Sequence, residues 1–196
     1  MKKILVSILT MLALCVSAYA SEAIINSYVK QLENLTKEQK KIMLYSYRVG
    51  EPEDLGYSLA AIAWKESMFG KYMLNLADGR LGSFGVYHIL LEYAIARARI
   101  KDDWNTSRLA EKLMYDLDFS AKEAIGELKF WKNYFRKNKY QWKSMFAAYN
   151  AGTAALKSKK GKQYADDAVL RVKALERYFE KHDPLNTKSG KAKKKK

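Results

Sequence analysis

The chain has little that could brace it from outside and little that could bind a metal. Cys15 is the one cysteine among 196 residues, and it stands in an apolar run close to the start. Beyond that run there is no thiol, which excludes disulfides, thiol nucleophiles and thiolate metal sites there. His88 and His182 are the only histidines, too few to make a zinc site unaided. The two prolines, Pro52 and Pro184, fall at apparent boundaries, and no stretch alternates apolar and polar residues in the manner of a half-buried strand. What remains is long proline-free sequence with apolar residues at helical spacing, so an all-α domain is predicted. One domain of ordinary size fits the length, and an apolar fraction of 48% is enough for a sizeable core.

Lys2 and Lys3 precede an apolar run from Ile4 to Val16 that is too short and wrongly flanked for a membrane span. Ala18-Tyr19-Ala20 puts small residues at the two positions a signal peptidase reads. A secretory signal peptide over 1–20 is expected, cleaved after Ala20, leaving an exported, periplasmic protein with no membrane span. The formal charge is +15, or +13 once Lys2 and Lys3 are removed. For an exported chain the polyanions within reach are cell wall, lipopolysaccharide and anionic membrane surface rather than nucleic acid. Residues 183–196 are rich in lysine and almost free of apolar side chains, which predicts a disordered tail. Solvation and attraction to an acidic polymer explain that tail equally well.

Helical periodicity divides the rest. Residues 21–53 read as an N-terminal helical extension: Ser21 could cap a first helix, and Thr36-Lys37-Glu38-Gln39 is a capping-box pattern that starts a second, which Gly50 and Pro52 end. Asp54 is the expected cap of a third helix running to about Phe69. Gly70 to Tyr87 is glycine-rich and irregular, the kind of segment that lets backbone approach a ligand. A helix is predicted from His88 to about Ile100, and another capped by Asn105 or Thr106 with Leu109, Leu113 and Leu117 on one face. Ser120-Ala121-Lys122-Glu123, a second capping-box pattern, predicts a helix with Ile125, Leu128, Trp131 and Phe135 inward. A short helix bearing Trp142, Met145, Phe146 and Tyr149 should stop at Gly152. The last carries Tyr164, Ala168, Val172, Leu175 and Phe179.

One carboxylate stands out. Helical spacing puts Glu66 on the face that carries Leu55, Leu59, Ile62 and Ala63. Loss of water disfavours the charged form, so its pKa is expected above the ordinary value of about 4.3. A glutamic acid that keeps its proton near neutral pH can donate it to a leaving group.

Three segments surround it in sequence: Glu66-Ser67-Met68-Phe69, then Ser83-Phe84-Gly85-Val86-Tyr87-His88-Ile89, then Ala147-Ala148-Tyr149-Asn150-Ala151-Gly152. In this order and at these separations they resemble the lysozyme-like lytic transglycosylases of the soluble-lytic-transglycosylase domain family, over about Asp54 to Phe179. The Ala-Tyr-Asn-Ala-Gly segment is the most specific part. Tyr164-Ala165, with Ala168-Val169 and Val172 after it, is similar to the family's tyrosine-bearing segment in degraded form. The resemblance implies a lysozyme-like helical domain of the goose-type lysozyme or lytic transglycosylase kind over 54–182. It implies cleavage of the β-1,4 bond between N-acetylmuramic acid and N-acetylglucosamine in peptidoglycan glycan strands by a carbon–oxygen lyase. The product ends in 1,6-anhydromuramic acid, and no metal or organic cofactor is required.

In that scheme Glu66 is acid and then base. Ser83, Gly85, Tyr87, His88, Tyr149, Asn150 and Tyr164 are the substrate-binding positions, with Tyr164 also able to hydrogen-bond Glu66. Tyr87 and His88 depart from the Met and Gln of many members, and a histidine there can charge near pH 6.5. An ordinary glycosidase needs two carboxylates, whereas a hydroxyl on the reacting sugar makes the second dispensable. Two other readings stay open. A goose-lysozyme-like muramidase would use water, with Asp78 as the rival carboxylate. A catalytically weak wall-binding scaffold would serve a secretion or flagellar apparatus. The expected partner set is peptidoglycan, an envelope or secretion-apparatus protein and no nucleic acid, for a monomer. Trp131 and Trp142 read as core rather than as sugar platforms.

Overall fold

The computed structural model describes residues 19–182. The proposed signal run up to residue 18 and the lysine-rich tail 183–196 lie outside the described residues.

Eight α-helices are present among the described residues. Helix α1 covers 19–33 and already includes Ser21, which is therefore not its cap. Helix α2, Lys37–Gly50, begins with the expected capping box: Gln39 N donates to Thr36 Oγ1 and Thr36 N to Gln39 Oε1. A 3-10 turn at Glu51–Glu53 takes Pro52 near its start, where a missing N–H costs nothing. Asp54 does not cap the next helix. It adopts a left-handed conformation, and its carboxylate takes Lys132 at 3.0 Å instead.

Helix α3, Gly56–Ser67, is buried almost all round: Leu59 to Trp64 are within the core without a break. A helix apolar on every side belongs at the centre of a domain. Helix α2 and the long α8, Lys159–His182, lie against it, and α7, Gln141–Ala151, packs on α8. Ile25, Val29 and Leu32 of α1 and Met43 of α2 join the same cluster as α3, so the N-terminal helices share the core rather than forming a separate layer.

The segment read as irregular contains a small antiparallel sheet of three strands, β1 Leu74–Asn75, β2 Ser83–Phe84 and β3 Ile89–Leu90, in that order. Leu74 pairs with Phe84 and Asn75 with Ser83; Ser83 pairs with Leu90 and Phe84 with Ile89. Two-residue strands are too short to leave an alternating pattern, which is why the sequence does not announce them. Gly85 sits behind β2 at φ +81, and a Cβ there would stand 2.2 Å from the Leu113 carbonyl oxygen. Only glycine permits that approach of sheet to helix.

Helix α4, Leu91–Ala98, starts later than predicted because His88 is in a turn and Ile89 is in the sheet. Helix α5, Asp103–Tyr115, is capped by Asp102, which accepts from Asn105 N at 2.9 Å, rather than by Asn105 or Thr106. Helix α6, Leu117–Tyr134, is likewise capped upstream, by Asp116 accepting from Phe119 N. Ser120 is thus inside α6 and buried. In both cases an aspartate one turn earlier reaches the free N–H groups first. Trp142 is not core: it is 39% exposed.

Asp167 of α8 ties the frame together. It accepts from Tyr28 of α1 and Lys65 of α3, and Arg171 Nε donates to it at 3.0 Å. The Arg171 guanidinium also lies over the Tyr28 and Trp64 rings, 4.7 and 4.6 Å from their centroids. Burial pushes the Asp167 carboxyl up, but Lys65, Tyr28 and Arg171 outweigh it and hold it below the usual aspartate range. Its stabilisation is therefore complete above the unfolded value of about 3.9 and disappears as pH falls through the lower folded value. Asp167→Ala is expected to cost about 1–3 kcal/mol, the burial being partial, and to lessen the pH dependence of stability below about pH 4; thermal melts of both proteins across that range are the check.

Candidate active site

Glu66 occupies the penultimate position of α3, with its side chain 15% exposed. The helix end is fixed by the next residue. Ser67 Oγ donates to the Val86 carbonyl at 2.7 Å, with the Ala63 carbonyl at 3.1 Å, and accepts from Gly70 N. Met68 and Phe69 then turn through left-handed conformations. The chain so reversed returns through the sheet and delivers His88 to the acid.

Two side chains meet the Glu66 carboxylate. Tyr164 of α8 donates its hydroxyl hydrogen to Oε1. Burial, then the Glu66 charge, holds the Tyr164 phenol far above its ordinary value, so it remains a donor. His88 Nδ1 stands 3.4 Å from Oε2, while its Nε2 lies 2.8 Å from the Tyr72 carbonyl oxygen. A carbonyl only accepts, so Nε2 carries a hydrogen. Nδ1 therefore either takes a proton from Glu66 or gives one to it, and the two groups share that proton. Burial alone would depress the imidazolium; Glu66, the Tyr72 carbonyl and the Asp78 charge together raise it above the usual histidine value. His88 holds this position at φ +47, its N–H bonded back to the Gly85 carbonyl at 3.2 Å.

The other expected site residues fall in a ring behind this contact. Ser83 is fully buried and donates to Asp78 Oδ2 at 2.8 Å, one remove from Glu66. Gly85 is occupied by its packing against α5. The Tyr87 side chain is fully buried, its hydroxyl 2.9 Å from Ser46 Oγ, so it does not form the wall of an open cleft. Its carbonyl accepts from Tyr149 at 2.8 Å, tying the end of α7 to the turn that carries His88. Tyr149 is buried; Asn150 is half-buried and helps line a cavity of about 730 Å³ between α4, α6 and α7. Of the expected residues, then, Tyr164 and His88 touch Glu66, Tyr149 and Asn150 border the adjoining cavity, and Ser83, Gly85 and Tyr87 brace the turn.

Sequence reasoning passed over Glu127 and Tyr93, which line the same cavity. Glu127 falls beside Ala124 and Leu128 on α6, and a helical wheel would have placed it at the border of the buried face. No group of three or more His, Cys, Asp or Glu side chains that could hold a metal ion occurs among the described residues. No described helix is long and apolar enough to cross a membrane.

A family model described as the transglycosylase SLT domain matches residues 51–171, a span that includes Glu66, His88, Tyr149 and Tyr164. Neither a curated protein nor a solved structure matches the chain.

Removing the Tyr149 hydroxyl leaves the buried Tyr87 carbonyl without its donor. Tyr149→Phe is expected to lower stability by about 1–3 kcal/mol, read as a fall in Tm.

Proposed function

This chain belongs to the transglycosylase SLT domain family, and from that premise we propose that it is an exported peptidoglycan lytic transglycosylase with Glu66 as its one acid and base. The observation that carries the reading is the seat of Glu66: the end of a buried helix, one oxygen held by Tyr164, the other beside His88, next to a cavity of about 730 Å³.

The chemistry proceeds in two proton transfers. Glu66 gives its proton to the glycosidic oxygen as the bond from that oxygen to the muramoyl anomeric carbon breaks. The carboxylate so formed takes the proton from the muramoyl 6-hydroxyl while its oxygen bonds to the same anomeric carbon. One bond is broken and one made, the acid is restored, and the sugar ends as the 1,6-anhydride. Because the nucleophile is attached to the reacting sugar, its effective concentration is high and no second carboxylate is needed to activate water. Tyr164 fixes the rotamer of Glu66 and favours the carboxylate phase of the cycle; His88 holds the shared proton close to Oε2. Asp78, the rival for a hydrolytic reaction, spends one oxygen on Ser83, which supports the single-acid scheme. The export signal at 1–20 and the net positive charge suit a chain that works on an acidic wall.

Digestion of purified murein by wild type is expected to release muropeptides one water lighter than reducing-end products. Glu66→Gln should lose about 10²–10⁴-fold in rate. Reducing ends would make the protein a muramidase, and wall binding without turnover would make it a scaffold; mass spectrometry of the products separates the three.

His88 sets the alkaline limit. Because its folded pKa is raised, the Glu66–His88 pair keeps its last proton to a pH above the ordinary histidine value of about 6.5. In His88→Gln that proton rests on one carboxyl alone, so the alkaline limb of kcat/KM should move to lower pH. A pH–rate profile unchanged by the substitution would remove His88 from the proton inventory.

A further inference from the structure

The cavity beside Glu66 has polar features that the reaction itself leaves unused. Glu127 and Trp131, one turn apart on α6, both line it, as do the rings of Tyr93 and Phe130, which are 53% and 58% exposed. The Trp131 indole Nε1–H is buried and has no hydrogen-bond partner. It lies near enough to Glu127 to ease that carboxylate's charge without closing a hydrogen bond. Native folds rarely leave a buried donor unpaired, and this one borders a cavity.

Glu127 is under-served in the same way. Burial raises its carboxyl above the usual glutamate range, Glu123 adds to that, and Arg97 and Trp131 offset it only in part. Arg97 is already committed, with its Nε and terminal nitrogen 2.9 and 2.7 Å from Glu123. The cavity thus presents one free donor and one acceptor close together, framed by exposed aromatic rings. An acetamido group is the complement: a carbonyl that accepts, an N–H that donates, and a methyl and pyranose face that suit aromatic surface.

We propose that the cavity between α4, α6 and α7 is a subsite for an N-acetylhexosamine, in which Trp131 Nε1–H donates to the acetamido carbonyl and the Glu127 carboxyl accepts from its N–H. Its location ties it to the acid: Tyr149 lines this cavity and feels the charges of both Glu127 and Glu66. The assignment rests on the reading of the chain as a glycan-cleaving enzyme, and it names the residues that tell an N-acetylated sugar from a plain one.

The test uses the full chain carrying Glu66→Gln, to prevent turnover, with two neutral β-1,4 trisaccharides that differ at C2. Calorimetric titration with tri-N-acetylchitotriose is expected to give binding about tenfold or more tighter than with cellotriose, the preference expected of two hydrogen bonds made in a largely buried site. Trp131→Phe keeps the ring and removes the donor; Glu127→Ala removes the acceptor. Each should remove most of the preference, and Glu127→Gln, which keeps an acceptor oxygen, should restore part of it. The Trp131 indole N–H resonance, assigned by its loss in Trp131→Phe, should shift with tri-N-acetylchitotriose and not with cellotriose. Equal affinity for the two sugars, binding of neither, or a preference untouched in both correctly folded variants would overturn the proposal. Product analysis of the wild type keeps the two readings apart. Anhydro ends with an unchanged sugar preference in the variants would sink the subsite alone. Loss of preference without anhydro ends from wild type would sink the catalytic reading alone.

Discussion

A carboxylate cannot be carried at the end of a helix buried on every side unless its surroundings supply hydrogen bonds in place of water. That constraint organises the molecule. The apolar run that makes α3 a central helix also brings Glu66 into the interior, and α8 must then pass close enough to offer Tyr164. The loop after α3 must double back through the sheet to bring His88. Ser67 is the joint that makes the reversal possible, since it completes the helix end and grips the Val86 carbonyl of the returning strand. The acid and its scaffold are one construction.

The charges between the helices extend this logic outward. Lys65, adjacent to Glu66, takes part in the Asp167 cluster and covers the face of the Tyr164 ring, 4.5 Å from its centroid. Asp167 in turn holds Tyr28 from the N-terminal helix. The segment outside the family match is therefore two contacts from the phenol that orients the acid. Tyr45 of α2 makes a comparable link to Asp118 of α6. The N-terminal helices act as a brace on the site as well as a cover for the core.

The helices were legible because their apolar spacing extends over many residues, and the capping box at Thr36 because its two partners are close in sequence. The caps at Asp102 and Asp116 were missed for a competitive reason: several Asp, Ser, Thr and Asn residues stand near each start, and only the folded chain decides which reaches the free N–H groups. The sheet was missed because each strand is two residues long. Glu66 could be picked out from the stripe it continues, and His88 and Tyr164 from the segments resembling a known family. Tyr87 could not be placed, because its side chain and its carbonyl serve different neighbours, Ser46 and Tyr149. Glu127 was hidden because a glutamate on a charged helix looks like any solvated one until α4 and α7 close over it.

The backbone at His88 carries a further consequence. A left-handed conformation is uncommon for a residue with a side chain and is held only where neighbouring contacts over-determine it. Here the Tyr149 hydroxyl on the preceding carbonyl, the Gly85 turn and the Tyr72 carbonyl all hold it in the free protein. The work of placing an imidazole against the acid is done as the chain folds and not as it meets a glycan. An arriving strand finds its reaction geometry already set, and its binding energy remains available for distorting the sugar rather than for assembling the enzyme around it.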